Sequence, residues 1–204
     1  MKLGRDQIAE TALTLMDEVG LDALSTRVLA ARLGVKQPAL YWHFKSRRDL
    51  LDAMNHRMMS GLSASRAPRP GEELMDLLAR GAREFRSALC AHRDGARLHA
   101  GTEATLEDLE PSERQMEFLV KGGFEVAEAF DLLVAISRYT LGCVLEEQAD
   151  AVREPDSTLD QEVVGYPYLS KGLAHYRLQS HASAFESGLS LLLAGSLVKL
   201  KGRE

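Results

Sequence analysis

The 204-residue chain has few cysteines and no long apolar run, and these two shortages exclude several classes of protein. Its two cysteines, Cys90 and Cys143, lie among apolar neighbours, so we expect reduced, buried thiols and not a disulfide framework. The longest apolar stretch, residues 191–198, is interrupted by Gly195 and Ser196 and is far shorter than the roughly 20 residues of a membrane span. No membrane-spanning segment is therefore expected.

The composition and the acidic residues near the N-terminus indicate a globular protein without a secretory signal. Asp6 and Glu10 lie among the first apolar residues, which does not fit the uncharged core of a secretory signal, so a cytoplasmic protein is expected. Hydrophobic residues make up 45% of the chain, enough for a buried core in one large domain or in a small domain joined to a larger one.

The distribution of charge is more informative than the net charge of −5, which argues against a protein that coats nucleic acid over its whole surface. No residue between positions 27 and 48 is acidic, and the basic residues there are Arg27, Arg32, Lys36, Lys45, Arg47 and Arg48. A local surface for a polyanion explains this segment. On charge alone, a solvated basic face with no partner explains it equally well.

The hydrophobic spacing predicts an all-α protein in two parts. Residues 5–19 form a helix before Gly20, and a short second helix lies between a Ser/Thr cap at 25–26 and Gly34. Pro38 opens a brief third helix at about 38–43, and Ser46 caps a fourth. The expected domains are a three-helix N-terminal domain (1–46), a connecting helix (47–66) and a C-terminal helical domain (67–204).

The C-terminal part shows longer amphipathic helices after a boundary rich in Pro, Gly and small residues at 64–71. These helices are expected at 72–90, 106–121, 125–149 and 182–200. Residues 126–145 and 185–200 are apolar around most of the helix circumference, more than the periphery of a monomer of this size buries easily. We therefore predict a homodimer formed through the helices at 125–149 and 182–200.

Two short helices joined by a tight turn behind a supporting helix have the layout of a helix-turn-helix DNA reader. Leu40, Phe44 and in part Trp42 are interpreted as core. Gln37 and Arg27 carry donors that can discriminate A or G. Further candidates for base edges or phosphates are Thr26, Pro38, Ala39, Tyr41, Trp42, His43, Lys45 and Arg47.

The segments Thr26-Arg27-Val28-Leu29-Ala30 and Leu33 to Lys45 resemble the TetR family of repressors. The resemblance implies an N-terminal helix-turn-helix and a C-terminal domain that binds a small-molecule inducer and dimerises. It also places Thr26, Arg27, Gln37, Pro38, Ala39, Tyr41, Trp42, His43 and Arg47 where the family contacts double-stranded operator DNA, with Lys45 as a weaker candidate.

The segments from His92 to Thr102 and from Thr140 to Gln148 are similar to the tetracycline-repressor branch of that family. This resemblance implies a Mg²⁺ ion that is bound only together with a chelating ligand, with His99 on the metal and with Thr102 and Glu146 acting through metal-bound waters. Phe85 and Gln115 match pocket-lining residues of that branch. A hard cation that keeps its waters fits such a sparse set of protein ligands.

Two departures from that branch affect the expected ligand. Ser63 and Gly81 stand where the branch has a histidine and an asparagine that hold the polar ring of tetracycline, and they cannot repeat those hydrogen bonds. Glu103-Ala104 also replaces a basic residue and a proline. A different chelating polyketide, or an unrelated apolar molecule bound without metal, fits the same pocket.

Two other classes of function compete with a repressor. A metal-dependent enzyme using His99, Glu146 and His92 lacks the three closely spaced ligands of catalytic zinc, so no enzyme is expected. A dimeric ligand-sequestering protein whose helix-turn-helix no longer reads DNA would share the fold. For a repressor, we expect the segment ending at Thr102 to move against the fourth helix, the lever between pocket and DNA reader, when ligand binds.

Overall fold

The structure is a computed structural model that describes residues 4–62, 66–102, 105–153 and 163–201. These residues form helices and no strand, which confirms the all-α expectation. The α-helices are α1 (Arg5–Val19), α2 (Thr26–Leu33), α3 (Arg47–Met59), α4 (Leu74–Cys90), α5 (Gly95–Ala100), α6 (Leu109–Lys121), α7 (Val126–Asp150), α8 (Pro167–Leu178) and α9 (His181–Lys201). Short 3₁₀ segments cover Gln37–Trp42, Leu106–Asp108 and Val163–Gly165.

Local capping explains where the N-terminal helices begin and end. The Ser25 hydroxyl accepts a hydrogen bond from the backbone N–H of Val28, and the Ser46 hydroxyl accepts one from the N–H of Asp49 at 3.1 Å. Gly34 ends α2 at φ +68°, a left-handed conformation that glycine adopts without strain. These caps hold α2 and the following 3₁₀ segment at a fixed angle.

The core of the N-terminal part continues into the C-terminal part. Ile8 and Met16 of α1 are completely buried against α3, where Met54 is also buried. The same cluster includes Leu98 of α5 and Val144 of α7. The two parts are therefore packed together and not merely tethered.

A second core lies between α4, α6, α7 and α9, and it centres on Phe185 and Leu189 of α9. The side chain of Tyr139 on α7 lies directly against Gly188 on α9, where an added Cβ would lie 2.1 Å from the hydroxyl oxygen of Tyr139. That hydroxyl donates a hydrogen bond to the carbonyl oxygen of Phe185 at 3.0 Å. The close contact fixes the register of α9 on α7.

Several helix faces in the C-terminal part remain uncovered in the single chain. Helix α8 buries none of its residues. Apolar side chains more than half exposed include Val126 and Phe130 on α7, and Leu191 and Val198 on α9. None of the described helices combines the length and apolarity of a membrane-spanning segment.

Three expectations need correction. The third helix is a 3₁₀ segment that starts at Gln37, because Pro38 suits the first positions of a helix. Helices α5 and α8 were not expected. Cys90 is exposed at the end of α4 and Cys143 is half-buried, so neither cysteine is buried as expected.

Candidate DNA-binding and effector sites

The 3₁₀ segment Gln37–Trp42 is anchored in the N-terminal core and exposes aromatic side chains to solvent. Leu40 and Phe44 are only 2% and 4% exposed and anchor the segment in the N-terminal core, as expected. Tyr41 is 54% exposed and Trp42 is 88% exposed. Trp42 is therefore not a core residue, which corrects the expectation, and its ring is available to a partner.

Gln37 is oriented by the neighbouring helix. Its side-chain Nε2 donates a hydrogen bond to the hydroxyl oxygen of Thr26 at 2.9 Å, and it lies 3.5 Å from the hydroxyl of Tyr41. Thr26, at the start of α2, and Tyr41 thus flank the amide of Gln37. The fold brings these three predicted DNA-contacting residues together, with Pro38 and Ala39 in the same 3₁₀ segment.

Several cations surround this segment. Arg32 is paired with Glu18, and Arg48 with Asp52 at 3.0 Å, so those charges are partly offset. Arg27, Lys36 and Lys45 are exposed and form no ion pair with the described part of the chain. The Arg47 guanidinium donates to the carbonyl oxygen of Leu21 at 3.3 Å, and half-buried His43 accepts a bond from Arg5 through its own carbonyl.

The predicted effector residues meet where α4, α5 and α3 come together. The rings of Phe85 on α4 and His99 on α5 are in edge-to-face contact, with centroids 5.0 Å apart. Nδ1 of His99 lies 3.0 Å from Oδ1 of Asn55 on α3. The hydroxyl of Thr102 donates to the carbonyl oxygen of His99 at 2.8 Å.

Burial lowers the pKa of His99, and the nearby positive charge of Arg66 lowers it further. The imidazole is therefore neutral at pH 7, the form that can bind a metal. Its contact with Asn55 occupies Nδ1 and leaves Nε2 as the nitrogen that would face a ligand.

The other predicted effector residues in the described part of the chain lie on neighbouring helices, and no hydrogen bond or ring contact joins them to His99. Glu146 is exposed on α7, Gln115 is half-buried on α6, and Gly81 has nothing within 4 Å of an added Cβ. Ser63 and the pair at 103–104 lie outside the described residues.

The donor set can be tested against the implied Mg²⁺ ion. Among the described residues, no group of three His, Cys, Asp or Glu side chains is placed to hold a metal. Of the three predicted metal-site residues, His99 is the one that carries an imidazole, and Asn55 already contacts its Nδ1. This arrangement fits an ion that arrives with a chelating ligand and keeps several waters, and it does not fit an ion held by the protein alone.

A junction that the sequence did not reveal links these two sites. Asp17, near the end of α1, accepts a bond from the backbone N–H of Arg93 at 2.9 Å and contacts Nδ1 of His92 at 2.9 Å. Asp94 adopts φ +61° and accepts a bond from the N–H of Leu21 at 2.8 Å. We call Asp17, Leu21, His92, Arg93 and Asp94 the junction.

Hydrogen bonds from Gln148 on α7 stabilise the junction. The side chain of Gln148 donates to the carbonyl oxygens of Leu89 and His92, and accepts from the N–H of Ala96 at 3.2 Å. An added Cβ on Gly95 would lie 2.3 Å from the carbonyl oxygen of Leu89, so this turn accepts only glycine without moving. The end of α4 and the start of α5 are thus one rigid corner.

The fold and the sites define a helix-turn-helix regulator with an all-helical effector domain. Residues 8–54 match the model of bacterial regulatory proteins of the tetR family, and residues 67–200 match that of the tetracyclin repressor-like C-terminal domain. The chain is 41% identical over 196 residues to the class A tetracycline repressor protein of transposon 1721 from Escherichia coli, covering 95% of this chain and 90% of the relative.

Two solved structures are similar over nearly the whole chain. A Gln-to-Ala variant of TetR from Acinetobacter baumannii AYE in complex with minocycline has a TM-score of 0.81 and 38% identity, covering 98% of this chain and 99% of that one. Class A TetR in complex with 5a,6-anhydrotetracycline and magnesium has a TM-score of 0.73 and 38% identity, covering 92% and 94%.

This chain belongs to the TetR family, close to the tetracycline repressors. The resemblance stated from the sequence is confirmed. The matched family model is one of bacterial regulatory proteins, which also confirms that the chain is a regulator and not an enzyme. The roles of the individual site residues remain predictions.

Proposed function

We propose that this TetR-family repressor binds a palindromic operator as a cytoplasmic homodimer and releases it when a small molecule occupies the space beside His99 and Phe85. One observation carries the proposal: the short helix α5 reaches both sites. Its His99 contacts the predicted pocket, while Asp94, directly before α5, bonds to Leu21 behind the DNA-reading segment.

The reading segment has the chemistry that operator recognition needs. Gln37 presents a side-chain amide that can read an A·T pair, and the exposed rings of Tyr41 and Trp42 can pack on thymine methyl groups or sugars. Arg27, Lys45 and Arg47 would bond phosphates and fix the register. Neighbouring Thr26, Pro38, Ala39 and His43 complete the surface.

The uncovered apolar faces support a homodimer. Phe130 on α7 and Leu191 on α9 are 60% and 76% exposed, and a second copy would remove such surface from water. The predicted interface therefore combines α7 and α9, with α8 as an additional arm. It would hold two reading segments about one DNA turn, roughly 34–36 Å, apart.

The release step follows from the contacts of α5. A ligand that pushes on His99 or Phe85 displaces α5 relative to Asn55 on α3, and through Asp94 it displaces the turn after α1. The reading segments then change their separation. Because binding energies are linked, the operator must weaken the ligand by the same factor as the ligand weakens the operator.

A Mg²⁺-chelated, tetracycline-like polyketide is the first ligand candidate. His99 would bind the ion, with Thr102 and Glu146 near its waters, and Phe85, Gln115, Gly81 and Ser63 would line the organic part. The ion would supply positive charge that binds the ligand's oxygen atoms. An apolar ligand without metal remains the second candidate, supported by the described residues, among which no group of three His, Cys, Asp or Glu side chains is placed to hold a metal.

Operator binding is tested by selecting duplexes from a random pool with the full-length protein. We expect palindromic sequences to be recovered. With the selected duplex, Gln37→Ala should lose about 1–3 kcal/mol at one base pair, whereas Lys45→Ala should weaken binding to all duplexes and flatten its salt dependence. Uniform binding of wild type to every duplex would favour a ligand-sequestering protein instead.

A further inference from the structure

Arg66 forms an ion pair with Asp108 beside the predicted effector space. The sequence motifs did not predict this ion pair. Its Nη1 donates to Oδ1 of Asp108 at 3.3 Å and to the hydroxyl of Ser112 at 3.2 Å. The Arg66 and Asp108 side chains are each only 31% exposed. Arg66 is also close enough to His99 for its charge to lower the pKa of that histidine. The guanidinium is therefore held against Asp108 and Ser112 at the start of α6, and its charge acts on the imidazole.

The carboxylate of Asp108 also accepts hydrogen bonds from Thr105 in its own 3₁₀ turn. Its Oδ2 accepts bonds from the backbone N–H and the hydroxyl of Thr105, both at 2.9 Å. A guanidinium has five N–H donors, and the contacts to Asp108 and Ser112 come from Nη1. Arg66 can thus bind a second carboxylate without Asp108 losing its hydrogen bonds to Thr105.

Gly81 leaves open space on the face of α4 that carries Phe85. One turn on either side along α4 lie Leu77, which is completely buried, and Phe85, which touches His99, so Gly81 shares their inward face. A Cβ added to Gly81 meets nothing within 4 Å. Glycine inside a helix costs about 1 kcal/mol relative to alanine, and here no steric contact requires it.

We propose that the effector is an organic acid with a bulky apolar body, whose carboxylate binds Arg66 and whose body fills the space beside Gly81. The proposal rests on the proposed function, because it names the ligand class of the same pocket. It also accounts for the two departures from the tetracycline-repressor pattern. The polar contacts missing at Ser63 and Gly81 are replaced by one charged contact from Arg66.

The structural alternative is that Arg66 only ties the linker to α6. Charge discrimination separates the two, because a merely structural arginine does not tell an acid from its ester. The probes are anthraquinone-2-carboxylic acid and its methyl ester, which share one flat apolar body. Each is titrated calorimetrically into the full-length protein in the presence of EDTA.

We expect wild type to bind the acid at least about tenfold more tightly than the ester, since a charge-assisted hydrogen-bond pair is at stake. Arg66→Gln should abolish this preference, and Arg66→Lys should retain part of it. Gly81→Leu should weaken both probes and leave their ratio unchanged. Arg114→Gln, an exposed arginine on α6, is the matched control and should bind as wild type does.

Operator binding by the same samples keeps the outcomes separate. If the variants bind the selected operator but wild type does not prefer the acid, or Arg66→Gln retains that preference, the ligand proposal is wrong while the repressor stands. If wild type does not distinguish the operator from random duplex, the proposed function fails whatever the probes do.

Discussion

At the scale of single residues, the pair of Glu72 and Arg80 fastens the interdomain linker to α4. The two side chains are only 10% and 12% exposed and are joined by bonds of 2.6 and 2.8 Å. Arg80 also donates to the carbonyl oxygen of Ala67 at 3.1 Å. These bonds from Arg80 lower the pKa of Glu72 to about 2.

The ion pair of Glu72 and Arg80 predicts that the free energy of unfolding falls at acidic pH. Because the pKa of Glu72 is lower in the folded state than in the unfolded chain, its stabilisation is complete above about pH 4.5 and is lost as the pH falls toward 2. Glu72→Gln should lower the free energy of unfolding at pH 7 by about 2 kcal/mol and flatten its acid dependence. Urea titrations at several pH values measure both.

Glu73→Gln is the matched control for this prediction, since Glu73 is exposed next in the chain. It should change stability by less than about 0.5 kcal/mol. Equal acid dependence in wild type and in the Glu72 variant would contradict the assignment.

Leu40 and Phe44 were correctly interpreted as core, whereas Trp42, interpreted in part as core, is exposed. Trp42 ends a 3₁₀ segment with three residues per turn, a conformation that was not predicted from the sequence. Arg66 was overlooked for another reason. It lies in a Pro- and Gly-rich linker, and only the fold brings it next to Asp108 and His99.

At the scale of secondary-structure elements, α5 and the junction before it connect the predicted effector space with the predicted DNA-reading segment. The expected lever, now α3, does contact His99 through Asn55. A second route runs through Asp17 and Asp94 directly to the end of α1 and the following turn. The reader is therefore held at two places.

Asp94 offers a direct test of this second route. Asp94→Ala removes the acceptor for the N–H of Leu21 and places alanine at φ +61°, so it should cost about 1–3 kcal/mol of unfolding free energy. Asp94→Asn keeps an acceptor and tolerates that conformation, so it should cost less than half as much.

Fluorescence of Trp42, the single tryptophan, measures whether the reading segment unfolds together with the rest of the chain. In wild type, urea transitions followed by Trp42 fluorescence and by circular dichroism should coincide, because one core joins both parts. In Asp94→Ala the fluorescence transition should come first. Coincident transitions in that variant would show that the junction does not couple the reader to the body.

The long helices of the C-terminal part were predictable, whereas α5 and α8 were not. Helices α4, α6, α7 and α9 carry enough turns for their apolar spacing to show, and observed bounds differ from expected ones by only a few residues. Helix α5 has six residues, too few for a period. Helix α8 buries nothing in the single chain, so its apolar residues do not mark one inward face.

At the scale of the whole molecule, the single chain is incomplete for the function proposed. One reading segment would contact only half of a palindrome, and apolar side chains on α7 and α9 are exposed in the single chain. The proposed function therefore requires a homodimer that holds two reading segments about one DNA turn apart.

Electron–electron distance measurement tests this claim most directly. A spin label is placed at exposed Lys36→Cys, beside the reading segment, in a chain with Cys90→Ser and Cys143→Ala so that each protomer carries one label. With the selected duplex bound, we expect one narrow distance near about 35 Å, allowing for the label lengths. Absence of dipolar coupling, or a separation that does not match one DNA turn, would contradict the account.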